Sequence, residues 1–462
     1  MSSFDVYTPI DSSLLFSRNY DDTETLLDVV QKAKVAQKQW KTRTLEERRV
    51  ILDAFVADVV ENKQILAREL TQQMGRPIRY CEGEIRGFEF RAKTMMDMAA
   101  ECLQNIVPTP QDNFCRYIQK VPLGVVLLLS PWNYPYLTTV NVLIPALISG
   151  NTVILKHSEQ TALCAERLME SANRVGIPEG VFQIVHCTHD QVAELIQHPD
   201  IDFVAFTGSV EGGFAVHQAT SRRGIDVGLE LGGKDPAYVR EDTDLVNAVE
   251  NLVDGAFFNS GQSCCGIERI YVHHSLYQKF VDLYVQEVKK YVLGDPLDEA
   301  TTLGPMVRTK NADFVRRQIE EAVEKGATLL VDSLLFEKDS KNSPYLAPQV
   351  LVDVTHDMSI MTDESFGPVV GIMSVQSDEE AISLMNDSQF GLTASIWTSD
   401  MDKAVWIGEQ LETGTVFMNR CDYLDPELAW VGVKNSGKGC TLSKVGFEHL
   451  TRPKSFHLKN IS

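Results

Sequence analysis

The chain has 462 residues, several times the size of a typical domain, with 44% hydrophobic and 23% charged residues, 29 glycines and 18 prolines; this balance excludes a single small module, a disordered chain and a fibrous repeat. Asp plus Glu number 64 against 43 Lys plus Arg, a net charge of −21, which repels a polyanion and argues against nucleic acid as a partner. The most apolar stretch, residues 121–150, is broken by Pro131, Asn133, Pro135, Asn141 and Pro145, so no window supplies the roughly 20 apolar residues of a membrane span.

The first twenty residues set Asp5 and Asp11 against a single Arg18 and hold no long apolar core. They read as neither a secretory signal nor a basic transit peptide, and a cytoplasmic location is expected. Residues 21–107 then read as helices. Asp22 and Thr23 cap a run through Trp40, and Thr44 with Glu47 makes a capping box ahead of Val50, Ile51, Leu52, Phe55 and Val59.

From Gly124 the pattern changes. Short apolar runs at 124–129, 152–155, 181–185, 203–206 and 227–231 alternate with amphipathic segments, which predicts βαβ units on a parallel sheet covered by helices on both faces. A helical run from Asp244 to Phe258 leads into a Gly-containing turn. A strand at 269–272, helices at 275–292 and 312–325, strands at 328–331 and 369–375, a helix at 378–386 and a strand at 394–397 follow. This second series predicts a second α/β domain. The tail from Pro453 to Ile461 reads as an edge strand that docks elsewhere, on another subunit for instance.

Three segments carry candidate chemistry. Phe257-Phe258-Asn259-Ser260-Gly261-Gln262-Ser263-Cys264-Cys265 places a thiol just after a Gly turn, where an oriented backbone amide stabilises a thiolate or an oxyanion. Read alone, such a cysteine is more often a small buried hydrophobe. Glu230-Leu231-Gly232-Gly233-Lys234 ends a strand with a carboxylate suited to a general base, although such a group read alone is more often a solvated or paired carboxylate. Asn133, between Pro131 and Pro135, is either a rigid oxyanion donor or simply part of a turn. Nine cysteines at irregular spacing predict free thiols, and Cys264-Cys265 lacks a second Cys-x-x-Cys, so no metal site is expected.

Together with Phe206-Thr207-Gly208-Ser209, Glu364-Ser365-Phe366-Gly367-Pro368 and Lys434-Asn435-Ser436-Gly437, these segments stand in the order of the motifs of the NAD(P)-dependent aldehyde dehydrogenase superfamily, which the chain resembles from its helical opening to its tail. The resemblance implies an α/β fold of two doubly wound domains, one a variant Rossmann cofactor domain and one catalytic, plus a small β bridging and oligomerisation element. The expected division is 1–102 and 123–231 for the cofactor, 232–447 for catalysis, and 103–122 with 448–462 for the bridge. A homodimer or homotetramer is expected on the same grounds.

Carried over by resemblance, Cys264 attacks the aldehyde, and the Asn133 amide with the Cys264 N–H holds the oxyanion. Hydride passes to the nicotinamide, and Glu230 activates the water that hydrolyses the thioester. Cys265 lacks the motif position and is assigned to packing. Trp132, Gly208, Ser209, Gly213 and Phe366 are expected at the cofactor, Lys156 and Glu159 at the adenosine ribose and Glu364 at the nicotinamide ribose. Gly-Ser-Val-Glu-Gly-Gly at 208–213 is not the usual dinucleotide fingerprint, as a variant Rossmann sheet would have it. The acidic Glu159 favours NAD, with NADP as the alternative.

The chain departs from the family at three places: Lys156-His157 for Lys-Pro, Ala429-Trp430-Val431-Gly432 for Pro-Phe-Gly-Gly, and Gly439-Cys440-Thr441 for Gly-Arg-Glu. A substrate tunnel is expected from Tyr134, Thr138, Asn141, Tyr423 and Trp430, with Arg420, Asp422 and Leu424 near its mouth. The expected substrate is a small to medium aliphatic or aromatic aldehyde, with a semialdehyde or aminoaldehyde as the alternative. A coenzyme A-acylating enzyme is disfavoured by Glu230, and an inactive binding protein by the joint presence of Cys264, Glu230 and Asn133.

Overall fold

The computed structural model describes residues 2–460. It opens with a feature that the sequence pattern does not announce, an antiparallel hairpin of Ser3–Tyr7 and Leu14–Asn19 whose Phe4 and Val6 pack on Ala162. Four helices follow at Thr23–Trp40, Leu45–Glu61, Lys63–Met74 and Ile78–Cys102. The Asp22 carboxylate accepts from the Thr25 amide at 2.9 Å. The predicted capping box forms, with the Glu47 amide donating to Thr44 Oγ1 at 3.2 Å and the Thr44 amide donating to Glu47 Oε2 at 2.7 Å.

The first sheet has six strands in the order Gly437–Lys438, Asp226–Glu230, Phe203–Thr207, Val125–Ser130, Thr152–His157, Phe182–Ile184. All pair in parallel except Gly437–Lys438. Val125–Ser130 is buried at every position because helices cover both faces. The chain leaves this strand first to one side and then to the other, so the crevice at its carboxyl end is a topological switch point, where ligands bind in such sheets. Pro131-Trp132-Asn133 leaves the sheet there.

The second sheet has seven strands in the order Thr328–Leu329, Gln349–Val352, Val369–Val375, Ile267–His273, Asp235–Val239, Thr393–Trp397, Thr415–Met418. Separate cores form on its faces, one around Phe257, Phe280 and Trp397 and one around Val315, Met361 and Ile407. The interior strand Asp235–Val239 has no counterpart among the runs read from the sequence, and it carries Pro236. Its register slips where Pro236 faces Arg269, and such an irregularity is where a strand tolerates the missing amide.

The expected catalytic stretch 232–447 is not one continuous unit. Gly437–Lys438 pairs with Asp226–Glu230 in the first sheet, and Trp430, Leu442 and Phe447 belong to the first core. The chain therefore crosses between the halves twice, and the crossings are bonded to each other: the Leu231 amide donates to Ser436 O at 2.9 Å and Ser436 Oγ to Gly232 O at 2.7 Å. The tail strand Thr451–Lys459 pairs antiparallel with Phe114–Pro122 of the same chain in a two-stranded ribbon whose tail strand is largely exposed; Ile461 lies outside the described residues. Among the described residues no helix is long and apolar enough to cross a membrane.

His157, the first departure from the family pattern, ends a strand and is buried, with Nδ1 3.1 Å from Thr161 Oγ1. Burial pushes its pKa down to about 4. The unfolded imidazole takes up a proton near its ordinary value while the folded one resists, so stability is lost as pH falls from about 6.5 toward 4. Between pH 7 and 5 this amounts to about 2 kcal/mol. Urea midpoints of the wild type and His157→Gln at the two pH values check it, and equal slopes would remove His157 as the cause.

Candidate active site

Helix Leu245–Phe257 ends in a tight turn whose Asn259, Ser260 and Gly261 all have left-handed φ, at 54°, 57° and 70°. A Cβ at Gly261 would collide with the Gly367 carbonyl, so glycine is required there. The turn delivers Cys264, half-buried, to a cavity of about 360 Å³. Its neighbours turn elsewhere: Ser263 Oγ and Cys265 Sγ donate to Asp422 Oδ1 at 2.7 and 3.0 Å. The adjacent Cys264 thiol and burial push the Cys265 pKa well up, in keeping with a packing role.

Glu230, at the end of strand Asp226–Glu230, lines the same cavity. Burial raises its pKa, opposed by hydrogen bonds from Thr441 and Thr207. Asn133 is buried and is not among the residues lining this cavity; its Nδ2 donates to Gln262 O at 3.2 Å, two residues before Cys264. Its carbonyl accepts from Arg76 Nη2 at 2.5 Å and from Asn259 Nδ2 at 3.3 Å. Arg76 is fully buried in an ion pair with Glu84, and the other Glu84 oxygen accepts from the Tyr136 amide at 2.8 Å.

Tyr134, Thr138, Asn141, Tyr423 and Trp430 all line the cavity, with Leu424 and Asp422. Arg420 does not; its guanidinium lies over the Tyr423 ring. Among the wall residues that the sequence reading does not name are Arg91 and Asp254. Arg91, buried on helix Ile78–Cys102, donates to Asn141 Oδ1 and to Leu137 O, each at 3.1 Å. Asp254, at the cavity mouth, has its pKa pushed up to about 6 by burial and by Asp422. Both sit on helices that read from sequence as scaffold.

A second cleft, of about 380 Å³, opens at the switch point and is lined by Trp132, Lys156, Gly208 and Ser209. Ser209 caps helix Val210–Thr220, accepting from the Gly212 amide at 3.2 Å. The helix N-terminus, the Lys156 side chain and apolar walls from Val192, Ile196 and Val216 make a set that fits a dinucleotide: the helix end and Lys156 would receive anionic groups and the apolar wall a flat ring. Two expected residues lie off this wall. Gly213 faces Leu231 instead, and Glu159 accepts from the Tyr20 hydroxyl at 2.7 Å. Glu364 and Phe366 come from the other half of the molecule. Glu364 accepts from the Gly233 amide at 2.9 Å, and burial with the nearby Glu268 pushes its pKa up to about 8. Phe366 meets Trp132 edge-on at 5.6 Å.

The loop bearing these two residues is held by a buried pair. Lys234 Nζ lies 2.5 Å from Glu268 Oε2, and the Glu268 carboxylate accepts from the Ser365 and Phe366 amides at 2.8 and 2.9 Å. Among the described residues no group of three His, Cys, Asp or Glu side chains is placed to hold a metal.

Residues 1–456 match the aldehyde dehydrogenase family. The chain belongs to that family. It is thereby an NAD(P)-dependent oxidoreductase of the aldehyde dehydrogenase class. It is 33% identical to the succinate-semialdehyde dehydrogenase [NADP(+)] of Deinococcus radiodurans, covering 92% of this chain and 88% of that protein. It is also 33% identical to the peroxisomal aminoaldehyde dehydrogenase 1 of Pisum sativum, covering 93% and 86%. The structure of the NADP-dependent glyceraldehyde-3-phosphate dehydrogenase from Bacillus halodurans, complexed with NADP, superposes with a TM-score of 0.93 at 34% identity, covering 100% of this chain and 96% of that one. The two α/β halves and their parallel sheets are those of an aldehyde dehydrogenase.

Within this aldehyde dehydrogenase, Thr441 is the functional neighbour that motif reading passed over. It stands in the segment that departs from Gly-Arg-Glu, and its hydroxyl donates to Glu230 Oε1. The only signal in the sequence was the departure itself.

Proposed function

We propose that the protein is a cytoplasmic enzyme that oxidises a small to medium aliphatic or aromatic aldehyde to its carboxylic acid, with Cys264 as nucleophile, Glu230 as general base and Asn133 in the oxyanion hole. The observation that carries this reading is that Cys264 and Glu230 open on one cavity while the Asn133 amide is fixed beside the chain leading to Cys264. The Cys264 sulfur adds to the carbonyl carbon, and Asn133 Nδ2 with the Cys264 N–H holds the oxygen that becomes negative. When bound, NAD supplies a hydride acceptor that takes two electrons and the aldehyde hydrogen. A thioester on Cys264 results. Glu230 then takes a proton from water as that water attacks the thioester carbon; the carbon–sulfur bond breaks, the acid leaves and Cys264 is regenerated.

Trp132, Lys156, Gly208 and Ser209 would hold the cofactor on one side, and Glu364 and Phe366 would close over its nicotinamide end. NAD is taken as the cofactor, with NADP the alternative; Glu159, off the cleft wall and engaged by the Tyr20 hydroxyl, does not decide between them. The nine free cysteines support a reducing compartment, and the two-stranded ribbon of Phe114–Pro122 with Thr451–Lys459 supports assembly into a homodimer or homotetramer. A second reading has one observation in its favour. Asp254 lies at the cavity mouth among Tyr80, Phe90 and Phe258 with no ion-pair partner among the described residues, which suits the ammonium group of an aminoaldehyde.

The test is reduced-cofactor formation from alkyl, aryl, carboxylated and amino aldehydes, with NAD and with NADP. Glu230→Gln should give a first-turnover burst of NADH and lose steady turnover by about a hundredfold or more. Undiminished steady turnover would remove Glu230 as the base. A marked preference for amino aldehydes, lost in Asp254→Asn, would favour the second reading.

A further inference from the structure

Both oxygens of the Glu230 carboxylate are engaged, each by a threonine hydroxyl. Thr207, on the neighbouring strand, donates to Oε2 at 3.0 Å, and Thr441, 211 residues away in sequence, donates to Oε1. Thr441 is itself fixed by reciprocal backbone hydrogen bonds with Trp430, at 2.9 and 3.0 Å. Trp430 lies on the wall of the aldehyde cavity. One pairing thus sets both a cavity wall and a donor to the carboxylate. A small hollow of about 20 Å³, room for one water, is bordered by Glu230, Thr207 and Thr441.

A carboxylate accepting from two fixed hydroxyls has its last torsion set, yet keeps a second lone pair on each oxygen for water. We infer that Thr441 is the positioning residue of the general base: its hydroxyl fixes the orientation in which the Glu230 carboxylate receives the proton of the hydrolytic water. The inference rests on Glu230 being that base. It gives Gly439-Cys440-Thr441 a function in place of the family's Gly-Arg-Glu, since a neutral donor stands here where an acid is usual.

The charged and titratable groups around Glu230 come from several elements. Arg91, from helix Ile78–Cys102, favours its charged form. Cys440 is pushed up to about 11 by burial and by Glu230. Cys264 shares the cavity, and Lys438 and His449 border the small hollow. Against this background Thr441 adds a hydrogen bond and no charge. Its removal therefore tests orientation and proton affinity without altering the net charge of the site.

Thr441→Val keeps the side-chain volume and the backbone pairing with Trp430 but removes the hydroxyl. The expected result is a kcat lowered about tenfold, with the NADH burst and kcat/KM retained because acylation precedes the affected step. The ascending limb of the kcat–pH profile should move up by about one unit, since a donor to the charged carboxylate is lost. Thr441→Ser should restore both kcat and the limb. Wild-type kcat and pH profile in Thr441→Val would overturn the inference. So would a parallel fall in kcat, kcat/KM and thermal midpoint that Thr441→Ser does not rescue, because Thr441 would then only support the wall. Glu230→Gln, measured alongside, separates the two levels. If it loses steady turnover while Thr441→Val does not, only the role of Thr441 fails; if it turns over like the wild type, the base assignment fails first.

Discussion

Cys264→Ser is expected to lower NADH formation by at least about a thousandfold while leaving cofactor binding intact, because a serine hydroxyl is far less nucleophilic than a thiolate at neutral pH. The substitution removes a sulfur from a half-buried position that lines the first cavity and is not among the residues lining the second cleft. Binding is read by quenching of tryptophan fluorescence, since Trp132 lies on the cleft wall. Eight other cysteines remain to be ruled out, and Cys265 is the one that matters, being adjacent. Its thiol donates to Asp422 and its pKa is pushed well up, so Cys265→Ser should retain turnover. Loss of activity in Cys265→Ser with activity kept in Cys264→Ser would reverse the assignment.

Arg76→Met is expected to cost about 3–5 kcal/mol of stability, because it strands the buried Glu84 carboxylate. Pairing it with Glu84→Met should recover much of that loss, as replacing both members of a buried pair by apolar groups commonly does. Activity should not recover. Arg76 also donates to the Asn133 carbonyl and, at 3.0 Å, to Asn259 Oδ1 in the nucleophile turn, so the doubly apolar protein folds with Asn133 and the turn before Cys264 less fixed. Urea denaturation and kcat/KM measured on the same preparations decide it. A double variant that regained kcat/KM along with stability would show that the pair holds the fold and not the site.

These two residues also mark what a linear reading reaches. Buried parallel strands are continuous apolar runs, so the first sheet was legible nearly strand by strand, and the helix after Thr44 announced itself through its capping box. The strand Asp235–Val239 matches none of the runs read from the sequence and carries Pro236, whose tolerance depends on a register slip against Arg269. Cys264, Glu230 and Asn133 stood out because each belongs to a motif. Arg76 and Glu84 did not, since charged residues on a helical segment read as a solvated face until the fold buries them. Glu159 and Gly213 were assigned by position, and Tyr20 and Leu231, from remote parts of the chain, are what the fold gives them as neighbours.

The double crossing between the halves has a mechanical meaning. Because the strands at Leu231-Gly232 and Ser436 are bonded side by side, they make one pivot and not two separate tethers. Rotation displaces each atom in proportion to its distance from the axis. Glu230 is the residue just before the pivot, and Gly233, just after it, packs so tightly on the Cys264 carbonyl that a Cβ there would collide with it. A swing that widens the outer clefts for cofactor or product exchange would turn about the reaction centre itself, so the lever arms are long where ligands pass and short where bonds are made.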